Sequence, residues 1–96
     1  MNNKDDIQFN SVKQLYDRLT PALVTKQAEM RRMGISYIQK EDIWNYLKEN
    51  KWKKAIDLSL YEMVSDVLNA PNELIELYVK EKLKERKRKP NLEEID

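Results

Sequence analysis

"LSLYEMVSDVLNAP", residues 58–71, is the stretch whose reading decides the fold. Ser59 and Glu62 have the spacing of a capping box, in which hydroxyl and carboxylate each accept a backbone N–H that a helix start leaves unpaired. Leu58 and Met63 occupy the flanking positions of a hydrophobic staple. Leu60, Met63, Val64, Val67 and Leu68 then recur at helical spacing and give one apolar face, closed by Pro71. A helix this short is marginal alone in water, so it must be packed by others.

Those others lie on both sides. Downstream, a last helix starts near Asn72, with Leu74, Leu77 or Ile75, Tyr78 and Leu83 as apolar positions. Its apolar content fades after Leu83 into "KERKRK" (84–89), and Pro90 is read as its stop. Upstream, "EDIWNYLKEN" (41–50) is a helix with Gln39 as N-cap, Ile38 and Ile43 as staple, and Glu41 and Asp42 where the helix dipole favours negative charge. Ile43, Trp44 and Leu47 form its buried stripe with Tyr46 beside it, and "KWKKAID" (51–57) leads on to Ser59.

Further upstream, Val12, Leu15, Tyr16, Leu19, Leu23, Met30 and Met33 keep helical phase from Ser11 to Gly34, a residue suited to a left-handed C′ position. Arg31 and Arg32 suit the last turn. Thr20–Pro21 reads as N-cap and N1. The stretch is therefore either one helix kinked at Pro21 or a short helix abutting a second; the unbroken phase favours the kinked or abutting form. The fold class is all-α: a small single-domain bundle of about four helices, the first kinked or broken near Pro21. Residues 1–10 are read as a flexible N-terminus, 11–85 as the helical domain and 86–96 as a charged, disordered tail.

Composition agrees. Ninety-six residues hold one core, and a single glycine with three prolines leaves too few tight turns for a β-sandwich or barrel. No cysteine and no histidine are present, which removes disulfides, thiolate zinc, thiol nucleophiles and imidazole acid–base chemistry. Glycine-rich phosphate loops are equally absent, and Glu41–Asp42 and Glu93–Glu94 are sequence neighbours that diverge on a helix. No catalytic residue, metal ligand or cofactor site is read from the chain. The polar start "MNNKDDIQFN" lacks the apolar core of a secretory signal and no run approaches a membrane span, so the expected setting is cytoplasmic.

The net charge of +1 conceals segregation. Ser59 to Val79 carries four acids and no base; Lys80 to Lys89 carries seven bases and two acids; Pro90 to Asp96 carries three acids. Such a dipolar half suggests interaction chemistry. A helix-turn-helix reader of DNA does not fit. The linker before the third helix is too long, and Glu62 and Asp66, read as facing out, would meet phosphates with the wrong sign.

Two candidate surfaces remain. Lys48, Lys51, Lys53 and Lys54 surround Trp52, and lysines with aromatics can grip phosphates and unpaired bases. Trp44 sits on the apolar stripe and is read as core. Trp52 is open between core or lid and exposed contact. The basic run from Lys80 is open between a solvated helix end, a nucleic acid or acidic partner, and pairing with the chain's own acidic tail.

"YIQKEDIWNYLKENKWKK" (37–54) with "LYEMVSDVLNAPNELIELYVKEKL" (60–83) resembles the small post-transcriptional regulators of Gram-positive bacteria, the ComN-like family. Glu41, Asp42, Ile43, Trp44, Leu47, Trp52, Lys53 and Lys54 carry the first half of the likeness. Leu60, Val64, Asp66, Val67 and Leu68 carry the second. It covers about residues 36 to 80, and more loosely the N-terminal helix. The resemblance implies a cytoplasmic, non-enzymatic protein that raises a competence-operon transcript after transcription. It also implies recruitment to the division septum and cell poles by a DivIVA-like coiled-coil scaffold.

The expected function is thus a helical adaptor that binds a protein partner through Tyr46, Lys51, Trp52, Lys53 and Lys54. The alternative is direct RNA binding through Lys51–Lys54 and Lys80–Lys89, with Lys84, Arg86, Lys87, Arg88 and Lys89 as contacts. A dimerisation module is the third class.

Overall fold

A computed structural model describes residues 12–53 and 57–95, with side chains described as far as Glu85. Four helices follow in order: α1 Val12–Arg32, α2 Lys40–Asn50, α3 Leu60–Asn69 and α4 Asn72–Ile95. No strand occurs among the described residues. Helix α1 packs against α2 and α3, α3 against α2, and α4 against α2.

Helix α1 is continuous through Pro21, so the alternative of a break there is corrected. Proline lacks the N–H that would bond to Asp17, but Pro21 and Asp17 are both exposed, where water can serve the freed carbonyl. Hydroxyls add side-chain bonds on either side: Thr20 Oγ1 donates to the Tyr16 carbonyl at 2.8 Å and Thr25 Oγ1 to the Pro21 carbonyl at 3.0 Å. The helix ends in a Schellman motif. Gly34 takes φ +89°, its N–H donates to Arg31, and the Ile35 N–H reaches back to Met30 at 2.9 Å.

Helix α2 is capped at Gln39, whose own N–H donates to Asp42 Oδ2 at 2.8 Å. Helix α3 has the full box: the Glu62 N–H donates to Ser59 Oγ at 3.0 Å and the Ser59 N–H to Glu62 Oε1 at 2.9 Å. These caps fix where α2 and α3 begin, and so which residues turn inward. Leu19, Leu23, Met30, Ile38, Ile43, Leu47, Val67 and Ile75 are the largest fully buried side chains, joined by Trp44, Trp52, Met63 and Val79.

The apolar pattern is wider than the buried sector. Val12, Met33, Leu68, Leu74 and Leu83 are exposed although helical spacing puts each among the apolar positions, and of Leu77 or Ile75 it is Ile75 that is buried. Helix α4 buries Ile75 and Val79 and half-buries Tyr78, which turns Leu74 and Leu77 towards solvent. One charged side chain goes the other way. Lys26 is 2% exposed, its stem lying in the core while its ammonium sits 3.5 Å from Glu29 Oε2. The same carboxylate accepts from Asn72 Nδ2 at 3.2 Å, tying α1 to the first residue of α4.

Pro90 does not end α4, whose backbone stays helical to Ile95. One proline removes a single ladder bond at a cost of about 3 kcal/mol, and the flanking Lys, Arg and Glu are good helix formers. The 1–10 segment lies outside the described residues. No helix among those described is long and apolar enough to cross a membrane.

Candidate functional site

At the end of α2 the chain reverses tightly: the Leu47 carbonyl accepts from both the Lys51 N–H at 2.9 Å and the Trp52 N–H at 2.8 Å. That turn carries Trp52 inward. Its indole is buried, edge-on to Trp44 at 5.9 Å between centroids, and Trp44 in turn meets Tyr16 edge-on at 5.3 Å. The Lys48 ammonium lies 5.8 Å from the centroid of the Trp44 ring. Of the two readings of Trp52, core is what the structure has, so its ring is not presented to a partner.

Asp66 explains how the polar edge of that indole is accommodated. Trp52 Nε1–H donates to Asp66 Oδ2 at 2.9 Å, and Lys51 Nζ stands 3.5 Å from Asp66 Oδ1. The Asp66 side chain is 18% exposed. This corrects the reading of Asp66 as facing out on α3: it turns towards the 51–52 segment and joins α3 to the end of α2. Composition and periodicity gave no sign of that pairing. The signal lay in the likeness, where Trp52 and Asp66 both belong to the shared pattern.

Above this junction an open groove of about 340 Å³ separates the end of α2 from the α3–α4 corner. Tyr46, Asn50 and Lys51 line one side and Asn69 and Pro71 the other, over the buried Leu47 and Ala70. A second hollow, lined by Glu49, Asn50, Lys51 and Lys53, continues from it through Asn50 and Lys51. Tyr46, Lys51 and Lys53 are therefore brought to one surface, Trp52 lies beneath it, and Lys54 falls outside the described residues.

The α2–α4 side of the groove is held by a polar cluster. Tyr46 meets Tyr78 edge-on at 5.8 Å, and the Lys82 ammonium lies 5.4 Å from the centroid of the Tyr78 ring. Burial raises the Tyr78 phenol to about 12, with a hydrogen bond to Glu49 and that carboxylate's charge adding to the effect. Glu49 also faces Lys82 Nζ at 3.6 Å. On the far side of α2, Tyr16 O–H donates to Glu41 at 3.3 Å, and burial followed by the Glu41 charge raises that phenol too.

Of the other candidate residues, Lys84 is exposed, while Arg86, Lys87, Arg88 and Lys89 lie in the helical backbone of α4 with side chains outside the described set. Among the described residues no group of three acids, histidines or cysteines is placed to hold a metal ion.

Residues 12–88 match the sequence model of a family described as "Post-transcriptional regulator". The chain is also similar to "Post-transcriptional regulator ComN" of Bacillus subtilis strain 168, at 40% identity over 53 residues. That alignment covers 55% of this chain and 54% of the relative, about half the length of each. No solved structure matches.

Proposed function

The chain belongs to the post-transcriptional regulator family, and from that premise we propose that it acts as a small helical adaptor, binding a protein partner through the groove at the end of α2. The family is one of regulators and not of enzymes. In this reading the adaptor promotes accumulation of a competence-operon-type transcript, and a DivIVA-like coiled-coil scaffold draws it to the septum and poles.

One observation carries the choice of a protein partner: Trp52 donates its N–H to Asp66 from within the core while Lys51 pairs with the same carboxylate. Stacking on unpaired bases needs exposed rings beside free cations. Here both tryptophans are buried and Lys51 is engaged. What remains outside is a concave surface with an apolar floor and polar sides, the kind of site that accepts a partner helix.

Asn69→Arg places a long cation in the groove from an exposed position, so the fold should survive it. Capture of a coiled-coil scaffold protein from nuclease-treated Gram-positive lysate should fall at least tenfold, and the competence-operon transcript should fall with it. The helical CD spectrum should be unchanged. Undiminished capture by this variant would remove the groove from the mechanism.

A further inference from the structure

The bases of α4 divide into two groups. Within the body they are answered by acids: Lys80 Nζ is 3.7 Å from Glu76 and Lys82 Nζ is 3.6 Å from Glu49. Past Lys82 the helix has left the core. Val79 is its last buried residue among those described, Leu83 is 42% exposed, and Lys84 and Glu85 are exposed. Lys84 has no acidic partner among the described residues. Arg86, Lys87, Arg88 and Lys89 follow in the same helical backbone. Consecutive helical residues step by about 100°, so these four positions encircle the axis.

We infer that residues 84–89 are a contact for the phosphate backbone of RNA, independent of its base sequence. The segment carries five bases and one acid, Glu85, which itself lies 4.0 Å from Lys82. Positive charge at positions that encircle a helix axis suits a polyanion, whose condensed counterions are released wherever a cation approaches. It does not suit a membrane surface, which needs a continuous apolar face opposite the bases. Beyond Leu83 the only large aliphatic residues are Leu92 and Ile95. Nor does it suit an acidic protein, whose binding depends on apolar or aromatic anchors in a packed centre. The contact occupies a different surface from the groove and does not rest on the adaptor reading. If both hold, one end of the molecule takes the transcript while the other takes the partner.

The test uses the full chain and a fluorescent single-stranded RNA of mixed sequence, read by anisotropy. The wild type should bind with affinity falling about a hundredfold between 50 and 200 mM salt, as roughly five phosphate contacts at about −0.7 in log–log slope each require. A variant with Lys84, Arg86, Lys87, Arg88 and Lys89 all changed to Gln should lose that binding while keeping its CD spectrum, since Gln is a good helix former. It should also keep the protein partner, whereas Asn69→Arg should keep the RNA. RNA affinity unchanged in the five-Gln variant would overturn the inference. So would an affinity indifferent to salt, or tighter binding of wild type to polyglutamate or to phosphatidylglycerol vesicles than to RNA.

Discussion

Two residues, Trp52 and Tyr78, show how small contacts set the site. Trp52 fills the space between Trp44 and α3, and its N–H meets a carboxylate rather than water. Trp52→Phe keeps most of the ring but leaves Asp66 with one donor fewer; loss of a bond to a charged acceptor predicts about 1.5–3 kcal/mol of destabilisation. Trp52→Ala, which also opens a cavity, should cost about 3–5 kcal/mol. Urea unfolding of both variants checks this, and a loss below the denaturation error for Trp52→Ala would mean that the indole is not structural. Tyr78 makes a pH prediction. Its phenol titrates near 12 in the folded chain against 10.0 in the ordinary state, so folding favours the neutral form. Its contribution is fully present below pH 10 and is lost as pH rises from 10 through 12. Tyr78→Phe cannot ionise, so the variant should lose less stability than the wild type between pH 9.5 and 11. Parallel slopes in the two chains would show that Glu49 and burial do not act on this group.

At the scale of elements, the starts of helices were the most legible feature of the sequence. The box at Ser59 and Glu62 depends on side chains three residues apart, and both bonds form. Ser59→Ala should cost about 1 kcal/mol in thermal or urea unfolding. Gly34 was equally readable, because a left-handed C′ residue has few alternatives. The break at Pro21 and the stop at Pro90 fail for one reason: a proline forbids one hydrogen bond, and surrounding contacts decide whether the helix tolerates that. Pro21 is exposed and marks no break. Replacing it with Ala restores the Asp17 bond, so Pro21→Ala should raise stability by about 1–3 kcal/mol, offset in part by the greater freedom of the unfolded chain. A destabilised variant would show instead that the ring sets the direction of α1. Periodicity also over-assigned the core of α4. It identifies a face but not its neighbours, and only the packing on α2 selects Ile75 and Val79 over Leu74 and Leu77.

At the scale of the whole molecule, the four helices lie within overall dimensions of 57 × 34 × 20 Å, and the last buried residue of α4 among those described, Val79, precedes its basic run. The charge segregation was fully visible in the sequence. The pairing of Lys82 was not, since it meets Glu49 only after α2 and α4 cross. The candidate groove was legible in part: the aromatic and basic residues bracketing the end of α2 point to Tyr46, Lys51 and Lys53, but Asn69 and Pro71 come from a later helix corner and share no local pattern with them. The place of Val79 in α4 leads to a last prediction. The described core contacts of α4 end at Val79, with Lys82 half-buried and paired to the body, so a chain ending at Glu85 retains them all. Its unfolding free energy should stay within about 0.5 kcal/mol of the full chain, as expected where no buried contact is lost. Partner capture should persist and salt-dependent RNA binding should disappear. Loss of stability on truncation would mean that residues 86–96 pack on the body, and would make the helix end a structural element rather than a free arm.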